Sequence, residues 1–192
     1  DQTWQGKNPL TLLDSIEKRL KENKTYEDMV ERKNRCIRLN YANEFHIDIL
    51  PAHPLDNSLN TNIKVPDRRA KDWKDSNPKG YTNWFDECAL QHETSFEIRA
   101  GIDPLPQDEM LERKPPLKRA VQLIKRYRDV YFEENPDLAP ISIVLTTLAG
   151  QHYEGQASVN DTISHTLNKI LQLLPKHGER LMILNPTNKK ED

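Results

Sequence analysis

Cysteine is scarce in this chain. Cys36 and Cys88 are the two among 192 residues, and they match neither a disulfide framework nor a zinc site. Both read as buried thiols, Cys36 in an apolar strand and Cys88 in a helix. Excess charge is also lacking. Lys plus Arg is 28 and Asp plus Glu is 30, a net charge of −2. Global charge therefore gives no argument for nucleic acid, and any basic site must be local. No apolar run approaches the roughly 18 residues of a membrane helix, and no basic-then-apolar leader is present. The expectation is a soluble, cytoplasmic protein without a membrane partner. Walker, GxSxG and HExxH motifs are all missing, so P-loop, esterase and zincin chemistry have no support. The six histidines show no metal-ligand spacing. Internal repeats and low-complexity tracts are absent too.

What is present is a highly charged chain with a modest core. The apolar fraction is 35% and the mean hydropathy is −0.85. A mass of 22.4 kDa allows one large domain or two small lobes. Both ends read as cut: the first residues, from Asp1, carry no methionine and no strand, and the last stop just after an apolar run.

The pattern begins with a helix over 9–23. Pro9 suits a first turn, and Leu10, Leu13, Ile16 and Leu20 form the apolar stripe. Arg35 to Tyr41 alternates as a strand. A turn at 42–44 leads into Phe45-His46-Ile47-Asp48-Ile49-Leu50, stopped by Pro51. The two form a hairpin of about eight residues per arm. The second arm reads as a buried strand carrying one acid, Asp48. A buried carboxylate needs a partner: an Arg, backbone N–H groups, or a bound cation. Ile63 to Pro66 reads as a short edge strand, and Trp73 to Tyr81 as turns. A helix follows from Thr82 to about Ala100, with Trp84, Phe85, Cys88 and Ala89 inward. A connector over 101–113, with Pro104 and Pro106, separates an α+β part from an all-α part.

Beyond it three helices are predicted. The first opens at Pro115-Pro116 with Leu117, Ala120, Val121, Ile124, Tyr127 and Tyr131 inward. The second runs from Ile141 to Ala149 and is apolar on nearly all sides. The third runs from Thr162 to Leu174, capped by Ser158 or Asn160. Lys118, Lys125 and Arg128 fall near one face of the first. Lys125 and Arg128 lie beside the apolar stripe, where a phosphate can be met at the rim of a cleft. Ser142 sits in a first turn, where free N–H groups favour an anion, though hydroxyls in buried helices also bond back to the preceding turn. Tyr153 suits either base stacking or a core position with its hydroxyl satisfied.

These segments, in order, resemble a known family. Arg35-Cys36-Ile37-Arg38-Leu39-Asn40-Tyr41, Phe45 to Ala52, and Trp73…Ser76-Asn77-Pro78-Lys79-Gly80-Tyr81…Trp84-Phe85 are similar to bacterial nucleotidyltransferases of the cyclic-GMP–AMP-synthase and dinucleotide-cyclase group (CD-NTase, SMODS-type). Pro116 to Asp129 and Pro140 to Ala149 resemble its helical lobe. Asn185-Pro186-Thr187-Asn188…Glu191 resembles the start of its Asn-Pro-x-Asn-x-x-Glu motif.

The resemblance implies an α+β fold. Residues 1–103 would be part of a polymerase-β-like nucleotidyltransferase core, and 104–192 an all-α, oligoadenylate-synthetase-like lobe. It implies a nucleotidyltransferase that makes a cyclic di- or trinucleotide second messenger from ribonucleoside triphosphates such as ATP and GTP. Anti-phage (CBASS) operons with regulatory or effector proteins are its setting, and no long nucleic acid is expected. Two Mg2+ ions held by three carboxylates supply the chemistry. Asp48 matches the third carboxylate, as catalytic and metal-binding residue. Lys125, Ser142, Arg128 and Tyr153 are the nucleotide-binding candidates. The Gly-Ser and Asp-x-Asp motifs that carry the first two carboxylates do not occur here. Their expected place is before Asp1, so the 192-residue chain alone is expected to be inactive. Two other classes fit less of the pattern: a non-catalytic nucleotide- or protein-binding relic of the same fold, and an RNA-tailing polymerase. The latter lacks a basic track for RNA.

Overall fold

A computed structural model describes residues 6–42, 45–55, 61–90, 114–175 and 181–188. The chain divides into two compact units, with the change falling between Gly80 and Tyr81. The boundary expected at 103/104, the connector and the expected helix residues 91–100 lie outside the described residues.

The first unit is α+β. Helix α1 spans Pro9–Lys21, with Asn8 accepting a hydrogen bond from the Leu10 N–H and basic residues in the last turn. It packs against strands of two small antiparallel sheets. The first sheet has the order β1 (Val30–Arg32), β2 (Ile37–Tyr41), β3 (Phe45–Ile49). The second has the order β4 (His53–Pro54), β5 (Ile63–Asp67), β6 (Asp72–Ser76). Leu13, Ile37, Leu39 and Val65 are buried in this unit.

Four expectations change. The predicted hairpin exists, but each arm has five residues. Residues 33–36 are spent on a turn joining β1 to β2, closed by the Lys33 N–H donating to the Cys36 carbonyl at 3.1 Å. Strand β3 is not buried: Phe45 is 55% exposed and the Asp48 side chain 40%. It is the edge of its sheet, with β2 as its one neighbour among the described residues. Strand β5 is central, not edge. Pro66 is tolerated because β4 pairs only with Ile63 and Lys64, leaving Pro66 with a ladder partner, Trp73, on one side. Finally, 72–76 form a strand where turns were predicted. β6 has one large apolar side chain, Trp73, so period-2 patterning is faint. It is held by its ladder to β5 and by the cross-strand pair Lys64–Asp75 at 3.2 Å.

Helix α2 spans Pro78–Leu90, starting four residues earlier than predicted. Asn77 accepts from the Gly80 N–H at 3.0 Å and satisfies one free donor of the first turn. A Cβ on Gly80 would lie 2.3 Å from the Asn77 side chain, so the cap requires glycine there.

The second unit is helical: α3 (Pro116–Tyr131), α4 (Ser142–Gln151) and α5 (Val159–Leu173), with α3 packed on both others. Its core joins Cys88 and Ala89 to Leu117, Val121 and Ala149, with Trp84, Phe85 and Tyr153 packed against them. Cys88 is buried as expected; Cys36 is only partly so. Ser158 caps α5 by accepting from the Asp161 N–H. The α3 stripe is inward only as far as Ile124: Tyr127 and Tyr131 are 70% and 68% exposed and stack on each other at 5.9 Å. The inward face continues through Lys125 and Arg128 instead, both half-buried. In α4 the second half is buried, whereas Ile141 and Ile143 are exposed. Leu181 to Leu184 form no regular element.

Candidate functional site

Asp48 lies in the first unit, and Lys125, Arg128, Ser142 and Tyr153 in the second. Register explains the surroundings of Asp48. Tyr41 pairs with Phe45, so counting outward sets Arg38 opposite Asp48. Arg38 donates through Nε to Oδ1 at 2.7 Å and through Nη2 to Oδ2 at 2.9 Å, a two-pronged ion pair. These hydrogen bonds hold the Asp48 carboxyl below the usual range, against a smaller opposing effect of burial. The sequence already contained this pairing. Once the hairpin is drawn, the position facing Asp48 can be read off, and it is an arginine.

Arg38 has a second acid on its other side, because Glu31 of β1 is its partner in the ladder to β1. Glu31 accepts from Lys33 and from Asn40, and both hold its carboxyl below the usual value. Glu31, Arg38 and Asp48 thus form a row across the sheet. His46, two residues from Asp48 on the same strand, pairs with Asn40 in the ladder.

In the second unit, Arg128 donates through Nη1 to the Pro140 carbonyl at 2.9 Å and is also paired with Asp129. This ties the end of α3 to the segment that enters α4 two residues later at Ser142. Lys125 lies one turn before Arg128. Its ammonium is held below the usual lysine value by burial first and then by the Arg128 charge. A half-buried cation beside an arginine is a place where an anion gains attraction, here partly offset by the nearby Asp129 carboxylate. The Ser142 carbonyl accepts from the Thr146 hydroxyl at 3.0 Å, so Thr146 bonds back to the preceding turn. Tyr153 packs against the core and donates to the Gln156 carbonyl at 3.3 Å. Those contacts serve the core reading of Tyr153.

Among the described residues, no group of three or more His, Cys, Asp and Glu side chains is arranged to hold a metal ion. Asp48 has the hard oxygen chemistry that Mg2+ takes, and its carboxylate is accessible. One carboxylate offers two oxygens, so it fits as a single ligand and not as a site. No helix of the described residues is long and apolar enough to cross a membrane.

Residues 2–89 match the family model of the Second Messenger Oligonucleotide or Dinucleotide Synthetase domain, SMODS. Over that stretch the chain is similar to SMODS domains. A c-di-GMP synthase of Roseivirga ehrenbergii is 40% identical over 190 residues, covering 96% of this chain and 50% of that protein. The chain therefore spans about half the length of this relative. The fold is that of solved CD-NTases. It matches a Bradyrhizobium diazoefficiens CD-NTase, CdnG, described in complex with GTP. The TM-score is 0.72 at 24% identity, covering 96% of this chain and 59% of that one. It also matches an E. coli MS115-1 CdnC:HORMA-deltaN complex, with a TM-score of 0.58 at 10% identity, covering 95% and 56%. The SMODS match ends at Ala89, within α2, so Asp48 and Arg38 lie inside the matched stretch and Lys125, Arg128, Ser142 and Tyr153 follow it.

Proposed function

We propose that this chain is part of a cyclic-dinucleotide synthase that joins ribonucleoside triphosphates into a second messenger. The observation that carries this reading is the 40% identity, sustained over 190 residues, to a c-di-GMP synthase. In this reading Asp48 is one of three carboxylates that hold Mg2+. When bound, the metal neutralises phosphate charge and lowers the pKa of the attacking hydroxyl. The chain's own residues orient and neutralise. Lys125 gives a point charge to the triphosphate, Arg128 holds the entry to α4, and Ser142 offers first-turn N–H groups to a phosphate oxygen. GTP in the CdnG complex supports a guanosine triphosphate as substrate, and the CdnC complex supports a protein regulator. The same kinship supports a cytoplasmic role in antiviral defence.

By itself the 192-residue chain should not turn over, because the described residues supply one metal-binding carboxylate where two metal ions need three. The test is incubation of the purified chain with Mg2+ and the four ribonucleoside triphosphates, followed by mass spectrometry. No cyclic product is expected. A cyclic dinucleotide at any level above a heat-denatured control would contradict this.

A further inference from the structure

Helix α3 turns an apolar face away from its own core. Leu123, Tyr127 and Tyr131 follow one another at four-residue spacing, with Val130 on the neighbouring row, and all four are more than half exposed. The buried side of the helix carries Leu117, Ala120 and Val121 instead. The two tyrosine rings stack on each other, and Phe132 meets Tyr131 edge-on at 4.9 Å, so the face is an ordered surface and not a scatter of side chains. Large apolar side chains gathered on one exposed face mark a surface that another surface covers. The charges of that face run in order along the helix. Arg119 begins the first row, four residues before Leu123, and Arg126 lies four residues before Val130. Glu134 lies four residues after Val130, exposed in the turn that ends the helix, with Glu133 beside it. Among the described residues, the ion pairs of α3 engage other charges, Lys118 with Asp86 and Arg128 with Asp129.

We propose that this face docks against the same face of a second copy of the chain, the two α3 helices antiparallel about a two-fold axis that passes near Tyr127. The face is self-complementary in that sense. Turning one helix end for end sets Leu123 against the partner's Val130 and Tyr127 against the partner's Tyr127, and brings Arg119 to the partner's Glu134. A parallel pairing would instead set each of these charges against its own copy, like on like. Opposed helix dipoles favour the antiparallel arrangement as well. The apolar side chains supply the attraction by leaving water, and the charges at the rim set the direction. A 16-residue helix is roughly 24 Å long, so the seam is smaller than a standard interface and the association is a micromolar one.

The test is sedimentation equilibrium of the 192-residue chain over a concentration series, with each variant checked for native circular dichroism. A monomer–dimer equilibrium with a Kd of about 1–100 µM is expected. Tyr127→Glu changes a side chain that the chain's own core does not hold, and it should weaken association at least about tenfold. Arg119→Glu should weaken it about three- to tenfold, and adding Glu134→Arg to that variant should restore the parent value. A chain that stays monomeric throughout, or a dimer that Tyr127→Glu leaves intact, overturns the interface. A loss in Arg119→Glu that Glu134→Arg does not repair overturns the antiparallel register. The complete reading frame, run alongside, should dimerise with the same responses to the variants. A monomer there means that the rest of that chain covers the face, and it overturns the second copy as occupant.

Discussion

The Glu17 carboxylate on α1 meets the Arg32 guanidinium on β1 at 2.6 Å, although Glu17 is only 7% exposed. Lys21, one turn on, holds the other oxygen at 2.9 Å. Glu17 is thus the charged centre of the contact between helix and sheet. Burial alone would push its carboxyl up, but the hydrogen bonds and charges of Lys21 and Arg32 outweigh it and hold it below the usual value. Its stabilising contribution is present above the unfolded carboxyl value and lost as pH falls through the lower folded one. Glu17→Ala should cost about 1–3 kcal/mol in urea unfolding at neutral pH. Arg32→Ala should cost less, since Arg32 is more than half exposed and Lys21 remains. Equal losses would contradict this ranking.

Asp67, at the end of β5, gives a pH signature. It is 4% exposed. Burial pushes its carboxyl up, yet the Ala70 N–H at 2.9 Å, Arg35 at 2.8 Å and Asn34 together lower it to about 2. The folded value lies below the unfolded 3.8, so the contribution is full above pH 3.8 and disappears as pH falls toward 2. Asp67→Asn should cost about 2 kcal/mol at neutral pH and nearly nothing near pH 2. Urea midpoints of parent and variant across that range should converge. A gap that stays constant with pH would refute the account.

Gly150 fixes the approach of α4 to α2. A Cβ there would lie 2.7 Å from the Trp84 ring, closer than van der Waals contact permits. Gly150→Ala should destabilise the second unit by about 1–3 kcal/mol despite the better helix propensity of alanine. Trp84 fluorescence during thermal unfolding reads it. A stabilised variant would show that the ring moves aside freely.

The helices and the hairpin were legible because each carries a strong local signal. Pro9, Pro116 and Ser158 mark starts, and apolar spacing runs behind them. Strand β6 was not legible, because one tryptophan in five residues gives no alternation and the strand is specified by its neighbour β5. The exposure of β3 was hidden for a related reason. Phe45, Ile47 and Ile49 have the alternation of a buried strand, but burial depends on what else packs there. Tyr127 and Tyr131 show the same limit. They keep the helical spacing of α3, yet the face that packs has moved to Lys125 and Arg128. Glu17 sits on a buried face as a charged residue, which no hydrophobic pattern announces. Asp48 could be singled out from sequence, and Arg38 only through register.

In the proposed nucleotide-binding role, Lys125 would set stability against function. Burial and Arg128 hold its ammonium below the usual value, so its charge costs stability at neutral pH, and this is relieved as pH rises through the folded value. Lys125→Met should leave the melting temperature equal or higher while weakening GTP binding about tenfold. Thermal unfolding and isothermal titration of the same preparation check both halves. Unchanged GTP affinity would remove Lys125 from the nucleotide site.

The most direct measurement of the central claim is product formation by the complete reading frame that contains these residues. The purified protein, given Mg2+ and GTP, is analysed by liquid chromatography and mass spectrometry beside its Asp48→Asn variant. The prediction is a cyclic dinucleotide from the parent and a loss of about a thousandfold or more in the variant, as expected for a ligand of the reacting metal. Equal product from parent and variant would contradict the assignment of Asp48, and no cyclic product with any triphosphate would contradict the assignment of the protein.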